Sequence, residues 1–573
     1  MPVANAEIAE LFERYAALLE IDGANAFRVR AYRNAARTLE SLPQSAAHML
    51  DEGTDLAELP GIGDDLAGKI EAIVESGTFA DLDALEGDVP EGLAELSDLP
   101  GLGPKRTAQL HRELGVDTLD QLRAAAEAGE VRELDGFGEQ TEAKILDAIA
   151  RRAGREKRFR LATAEQLAEP LLAHLRDVEG VAKAEIAGSY RRRRETVGDL
   201  DILVVAREGS PVMDRFAGYD DVAAVVSKGE TRSTVRLRND LQVDLRVMEE
   251  AAYGAALHYF TGSKAHNIRT RRLATDKGWK LNEYGLFDDD ERIAGKDEAE
   301  VYAALGLAWM PPELREDRGE IEAAQKDALP ELVTLDDIGG DLHCHTTWSD
   351  GRDTARAMAE AARARGYAYL AITDHSRHSR VANGLDPDRL ARQIDEIERL
   401  DDEFDDIRLL KGCEVDILAD GALDLPDDIL ARLDLRVCSL HDKLDLAAEK
   451  QTERVLRAMD NRWFNILAHP TGRLIDKREP AELDMERVLE GARERGCFLE
   501  INAQPERLDL TDTHARMAKE MGVKLAISTD AHGTSGLAAL RFGIDQARRG
   551  WLGPDDVLNT RPWRDLAKLL DRS

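Results

Sequence analysis

The first 150 residues place apolar side chains at helical spacing. EIAELFERYAALLEI and AFRVRAYRNAARTLESL both repeat them every three or four positions, which predicts amphipathic helices. Three similar turns punctuate this region: Leu59-Pro60-Gly61-Ile62-Gly63, Leu99-Pro100-Gly101-Leu102-Gly103 and Leu134-Asp135-Gly136-Phe137-Gly138. Each leads into another apolar-periodic run, such as AGKIEAIV or TEAKILDAIA. From about residue 155 the period shortens, and AKAEIAGS, DLDILVVA, STVRLR and LQVDLRVM read as short strands. A polar, proline-bounded stretch from about 311 to 338 is the best linker candidate. Beyond it YLAIT, IRLLKG, LRVCSL, FNILA, CFLEI and KLAIS alternate with helix-like segments such as TARAMAEAARARG. That alternation implies a parallel barrel or a doubly wound sheet.

The three turns read as the hairpins of helix-hairpin-helix units. Gly61, Gly63, Gly101, Gly103, Gly136 and Gly138 permit a tight turn, and backbone N–H groups at the next helix can face a DNA phosphate without basic side chains. One such turn would be ordinary helix punctuation; three copies with a leading Leu point to DNA binding.

Composition sharpens this picture. At 573 residues the chain is long enough for three or four domains. It has no run of about 18 apolar residues and its start lacks a leader pattern, so a soluble, cytoplasmic protein is expected. Cys344, Cys413, Cys438 and Cys497 sit in or beside apolar runs, which predicts buried thiols. The net charge of −35 by itself argues against nucleic acid, whose phosphates normally meet a basic footprint. The acid is dispersed, however, and Arg far outnumbers Lys. This pattern fits adaptation to high salt, where the Debye length falls to about 3 Å at 1 M and repulsion from DNA is screened.

Two constellations carry chemistry. In Asp199-Leu200-Asp201 the carboxylates lie two apart on an extended run, so both project from one strand face. Asp244, on another strand pattern, completes a three-carboxylate nest of hard oxygen ligands suited to Mg²⁺ or Mn²⁺. Two such ions about 4 Å apart activate a 3′-hydroxyl and stabilise a leaving pyrophosphate. Gly188-Ser189 offers a close backbone approach and a hydroxyl, and Arg192 a fork for phosphates. The second set lies at the ends of strand-like runs: His343, His345, Asp350, His375, Glu414, His441, His469, Asp530 and His532. In a β/α barrel such ends converge on one face. Nine imidazole and carboxylate ligands suit two or three ions, and Mn²⁺, Zn²⁺ or Fe²⁺ better than Mg²⁺.

GSYRRRRETVGDLDILV resembles the palm motif of family X DNA polymerases, the group that includes DNA polymerase beta. Tyr259-Phe260-Thr261-Gly262-Ser263, Asn267, Arg271 and Leu281-Asn282-Glu283-Tyr284 resemble its thumb. The resemblance implies that Asp199 and Asp201 bind both metals, and that Asp244 binds the catalytic metal and helps deprotonate the primer. It also implies nucleotide contacts from Gly188, Ser189, Arg192, Tyr259, Phe260, Gly262, Asn267 and Arg271. Lys69 matches the family's lyase nucleophile, but Asp65 stands where a supporting Lys is expected, which works against a lowered amine pKa. DLHCHTTWSDG, ITDH, AHP and STDAH resemble the polymerase-and-histidinol-phosphatase (PHP) domain, which implies a distorted β/α barrel with a trinuclear centre. Glu500 and Asn502 match a further PHP motif in a supporting position.

The expected architecture is therefore multidomain, with α-helical helix-hairpin-helix domains, an α/β nucleotidyltransferase palm and thumb, and a C-terminal distorted β/α barrel. The expected boundaries are 1–90 and 91–152 for the helical domains, 153–248 palm, 249–315 thumb, 316–338 linker and 339–573 PHP. The resemblance implies a monomeric prokaryotic repair polymerase, from a halophilic archaeon on the charge pattern, that takes dNTPs and gapped or primer-template DNA. Its PHP site would process 3′ ends as a 3′-5′ exonuclease or phosphatase and also cut at abasic sites. The competing readings are a metal-dependent end nuclease whose polymerase half only positions DNA, and a non-catalytic scaffold.

Overall fold

The structure, a computed structural model, describes residues 3–572 apart from 43, 44, 60, 91, 98, 100, 101, 155 and 156. Two compact units are resolved: Met1–Phe159 with Thr163–Val178 and Pro211–Val243, and Arg160–Ala162 with Glu179–Ser210 and Asp244–Ser573. Among the described residues no helix is long and apolar enough to cross a membrane.

The first unit contains the predicted helices, among them Asn5–Ile21, Ala26–Ser41, Asp64–Ser76, Gly103–Leu114 and Glu139–Gly154. Their apolar faces meet in one core, with Phe12 edge-on to Tyr32 and Phe79 at 5.5 and 5.8 Å between centroids. The three turns are the same turn: Ile62, Leu102 and Phe137 each donate a backbone N–H to Leu59, Leu99 and Leu134, at 3.0, 3.0 and 3.1 Å. Gly61 and Gly136 occupy the third turn position at φ +74° and +77°, a conformation only glycine adopts without strain. Gly101, the equivalent residue of the second turn, lies outside the described residues.

In the second unit, strand Val181–Ile186 pairs antiparallel with Asp199–Ala206. Helices Tyr253–Thr261 and Lys264–Asp276, three short antiparallel strands and helix Glu298–Leu305 follow. The C-terminal region is a seven-stranded parallel sheet whose strands run in chain order, from Gly340–Asp341 to Leu525–Ser528. A bridge between Cys344 and Ala531, with His345 N–H donating to the Ala531 carbonyl at 2.8 Å, nearly closes it into a barrel. All four cysteines are free and buried, as the apolar runs around them predict.

The stretch 316–338, expected as a linker, is packed in place. Glu320 is fully buried against His266 Nδ1 at 2.7 Å, and Leu332 packs with Leu314 and Trp551. Glu320 satisfies a buried partner, while Arg318, Glu322, Lys326, Asp327, Glu331 and Asp336 stay exposed, so the stretch is held by a few buried residues beneath a solvated face. Three ion pairs join the segments on either side of this strap, Arg193–Asp545 at 2.7 Å, Arg473–Glu195 at 2.6 Å and Arg548–Glu313 at 2.6 Å, and Arg549 at 3.1 Å holds Glu316 at the strap's start.

Fully buried Arg315 pairs with Glu298, which also takes Arg191 at 2.8 Å. Burial pushes the Glu298 carboxyl up, but the two guanidiniums outweigh it and bring its pKa from 4.5 down to about 2. A depressed folded-state pKa gives stability present above the unfolded value and lost as pH falls through the folded one. Arg315→Met should therefore lower the melting temperature at pH 7, by roughly 3 kcal/mol of stability. The deficit should shrink as pH drops from about 4.5 towards 2, which calorimetric melting across pH would check.

Candidate active sites

The palm site is assembled by a glycine. Ala187 N–H donates to the Asp201 carbonyl at 2.7 Å, and Gly188 then turns with φ +65°. A Cβ on Gly188 would meet Asp201 Oδ2 at 2.8 Å, so both the backbone and the space demand glycine. Asp199 and Asp201 project from the same strand, as their spacing predicts, and Asp244 sits buried on Gln242–Met248. Burial, then the charges of Asp199 and Asp244, raise the Asp201 pKa to about 7 against the opposing pull of Arg246 and Arg192. Three carboxylates thus interact across one site, where Arg246 and Arg192 do not offset the burial and repulsion acting on Asp201. That deficit fits divalent cations held by oxygen ligands.

The expected nucleotide contacts are mutually engaged. Arg192 Nε meets Glu316 at 3.0 Å and its Nη1 donates to the Thr261 carbonyl at 2.9 Å. Tyr259 and Phe260 stand edge-on at 5.0 Å, with Arg246 over the Phe260 ring. Asn267 Nδ2 donates to the Tyr259 and Gly262 carbonyls at 2.6 and 3.1 Å, and Arg271 Nε to the Asn267 carbonyl at 3.1 Å. Gly262 is required here too, since a Cβ would meet Asn267 Oδ1 at 2.6 Å. Ser189 accepts Arg194 N–H at its carbonyl, which holds the turn. Lys69 Nζ lies 2.5 Å from Asp65 and 3.3 Å from Asp81. Burial acts to lower its pKa, but these carboxylates and Tyr32 outweigh it and raise it, keeping the amine protonated.

In the barrel all nine expected residues converge, at or just beyond strand ends. Glu414, buried on Arg408–Asp416, is the hub. Imidazole nitrogens of His375, His469, His441, His343 and His345 stand 2.8, 2.9, 3.1, 3.5 and 3.5 Å from its oxygens. Asp530 lies 3.1 Å from His345 and 3.6 Å from His343, while Asp350 lies 3.5 Å from His532 and 3.6 Å from His375. Three clusters have ligand atoms within 4.8 Å of one another: His345, Asp350, His375 and His532; His343, His345 and Asp530; His375, Glu414 and His441. His469 and Asp530 have φ of +25° and +51°, a strain that marks side chains re-aimed into a site.

The electrostatics ask for cations. Burial opposes charge on His441 and His532, but the carboxylates around them win and raise their pKa values to about 10 and about 9. Burial and the neighbouring imidazoles of His532 and His375 push His345 down to about 3. The buried Nδ1 atoms of His345 and His469 have no hydrogen-bond partner. Nitrogen and oxygen donors this close, some unpartnered, fit two or three divalent ions.

Residues outside the sequence-predicted set orient it. Glu500 holds His343 Nδ1 at 2.8 Å and accepts His469 N–H at 2.7 Å, in keeping with its supporting position. Asp416, not singled out from sequence, holds His441 Nδ1 at 2.8 Å; it shares a strand face with Glu414, two residues away. Asp374 is buried, accepting from Thr346, Ser349 and Gln393, and fixes the loop that carries Asp350. His378 and His514 stay out of the clusters among the described residues.

Comparison with known proteins agrees with this division. A helix-hairpin-helix domain model matches residues 3–79 and a SAM-like helix-hairpin-helix tandem matches 93–151. The DNA polymerase beta palm matches 161–257, the DNA polymerase beta thumb 256–316 and the PHP domain 341–504. The DNA polymerase/3′-5′ exonuclease PolX of Bacillus subtilis (strain 168) is 40% identical over 571 residues, 99% of each chain. A probable phosphatase of Thermoanaerobacter sp. (strain X514) is 30% identical over 234 residues, 38% of this chain and 89% of its own. DNA polymerase lambda of Rattus norvegicus is 26% identical over 342 residues, 54% of this chain and 56% of its own. With a full-length relative at that identity, and the palm, thumb and PHP models matched in order, the chain belongs to the family X DNA polymerases that carry a C-terminal PHP domain.

Proposed function

We propose that this chain fills gaps in DNA with its palm and trims 3′ ends in its barrel, as a 3′-5′ exonuclease or 3′-phosphatase that also cuts abasic sites. The observation that carries this reading is that one chain holds two separate ligand sets, an oxygen triad at Asp201 and an imidazole-carboxylate cluster around buried Glu414. The domain boundaries of the reading are those expected from sequence, except that 316–338 is a packed strap, with the helical hairpins gripping duplex phosphates through backbone N–H groups.

In the palm, Asp199, Asp201 and Asp244 would hold Mg²⁺ or Mn²⁺, which supply charge for the primer oxygen and the departing pyrophosphate. Asp244 takes the 3′-hydroxyl proton, Ser189 and Arg192 meet the triphosphate of a dNTP, and Tyr259 and Phe260 line its sugar. Asn267 and Arg271 face the nascent pair. In the barrel, His343, His345, Asp350, His375, Glu414, His441, His469, Asp530 and His532 would hold two or three Mn²⁺, Zn²⁺ or Fe²⁺ ions, which supply an activated water and neutralise phosphoryl charge. Glu500 and Asp416 keep His343 and His441 in the tautomer that leaves the ligating nitrogen free. Lyase chemistry at Lys69 is not supported, because an amine held by Asp65 and Asp81 is a poor nucleophile. The protein acts as a monomer in the cytoplasm, and its dispersed acidity supports the high-salt habitat of a halophilic archaeon.

One observation favours a second reading. Arg192 is already committed to Glu316, so a triphosphate must displace that carboxylate. If it does not, the palm only positions DNA for the barrel. A single-nucleotide-gapped duplex in molar KCl decides between them. Asp201→Ala should abolish extension with dNTPs, and His343→Ala should abolish shortening, each leaving the other activity intact. Shortening with no extension in any variant establishes the second reading.

Two pH effects follow. With metal removed, a carboxyl whose folded pKa is raised from 3.8 to about 7 destabilises the fold as pH rises through that window. Chelated wild type should therefore lose melting temperature between about pH 4 and about 7 by roughly the margin a raised carboxyl imposes, while Asp201→Asn should not. In the barrel, metal must displace protons from His532 and His441, whose values are about 9 and about 10. Calorimetric titration of Asp201→Ala with Mn²⁺ should release protons at pH 7, with affinity still climbing at pH 8.

A further inference from the structure

Arg507 follows the strand Phe498–Asn502, and its place at the rim of the barrel site has no use in the arrangement described so far. Its backbone is pinned: Arg507 N–H donates to the Gln504 carbonyl at 2.8 Å, and its own carbonyl accepts Arg473 Nε at 2.8 Å. Its side chain is only 18% exposed, and Nε stands 3.8 Å from Asp530 Oδ2, beyond a hydrogen bond. Asp530 is already taken up by His343, His345 and Asn502. The Arg507 Nη1 is buried with no hydrogen-bond partner.

A second guanidinium reinforces the picture. Arg478 donates Nε to the Gly472 carbonyl at 2.8 Å and has no ion-pair partner among the described residues. Burial, and then the charge of Arg507, lower its pKa. Neither guanidinium has a carboxylate within hydrogen-bond distance among the described residues, in a chain with 112 acidic and 77 basic residues. Elsewhere in this unit Arg315 and Arg549 each have carboxylate partners, Glu298 for the first and Glu316 and Asp512 for the second, whereas Arg436 donates only to backbone carbonyls. A buried fork with an open donor, beside a ligand of the metal cluster, is the geometry that receives non-bridging phosphate oxygens.

We propose that Arg507, backed by Arg478, is the phosphate subsite of the barrel and binds the phosphoryl group attacked at a DNA 3′ end, as a terminal phosphomonoester or the last phosphodiester. The proposal rests on the end-processing reading above. It also names the chemistry that sets substrate class. A planar fork beside the cluster selects a phosphoryl oxyanion, whatever its leaving group, so one site takes both esters.

The test uses the full chain with Mn²⁺ and two single-stranded oligonucleotides, one ending in a 3′-hydroxyl and one in a 3′-phosphate. Arg507→Gln should lower kcat/KM for both by about 10- to 100-fold, the range for losing charge-assisted hydrogen bonds. It should also weaken inhibition by inorganic phosphate by a similar factor. Arg507→Lys should recover part of each, keeping charge without the fork. Gap extension and melting temperature should match wild type, which excludes simple misfolding. Phosphate binding is read separately by calorimetry on wild type and Arg507→Gln. If wild type shortens neither strand yet loses phosphate binding on Arg507→Gln, the end-processing reading falls and the subsite stands. Equal phosphate binding by both proteins overturns the subsite. So does a loss for one oligonucleotide alone, since the single fork serves both esters.

Discussion

Glu414 is the interaction on which the barrel's order depends. A carboxylate buried among five imidazoles tolerates burial only if positive charge stays close, and here protons or metal ions must provide it. Burial raises its pKa and the imidazoles more than reverse that. The rest of the region serves this demand. Parallel strands bring ligands to one end, and Glu500, Asp416 and Asp374 lock the rings and loops that would otherwise choose other rotamers.

The palm meets the same constraint with the opposite sign of remedy. Its triad has no imidazole to absorb a proton, so burial, and then repulsion from Asp199 and Asp244, appear as a raised Asp201 pKa. Oxygen-only ligands with residual negative charge favour hard, hydrated ions, while the mixed nitrogen and oxygen set of the barrel favours borderline ones. The two centres can therefore select different metals from one solution without a selectivity filter. Gly188 gives the palm its compactness, because any side chain there would push Asp201 away from its neighbours.

Much of this was legible in the sequence wherever a spacing translates directly into geometry. Asp199 and Asp201 share a strand face, the Leu-x-Gly turns recur with one hydrogen bond, and the barrel ligands sit at strand ends. What escaped detection depends on partners distant in sequence. Nothing near Arg192 announces Glu316, 124 residues away, and nothing in the polar stretch 316–338 announces that Glu320 will be buried on His266. Asp416 was within reach, since a carboxylate two residues from Glu414 must share its face. Arg507 was not, because a buried guanidinium nitrogen without a hydrogen-bond partner is visible only once every neighbour is placed.

Those long-range pairs bear on how the two centres share one chain. Glu316 lies between Arg192, at 3.0 Å, and Arg549, at 3.1 Å, and Arg549 also donates to the Arg192 carbonyl at 2.8 Å. The palm turn and a barrel helix therefore compete for one carboxylate. Exposed pairs at this spacing would be screened away in concentrated salt, but Arg549 and Glu316 are 3% and 8% exposed and escape most of that screening. A triphosphate drawing Arg192 away would leave Glu316 to Arg549 and Arg194 and strengthen their hold on it. The acidity that looked like an obstacle to binding DNA thus has a second use: it supplies the carboxylates that hold Arg192 and Arg549 in place.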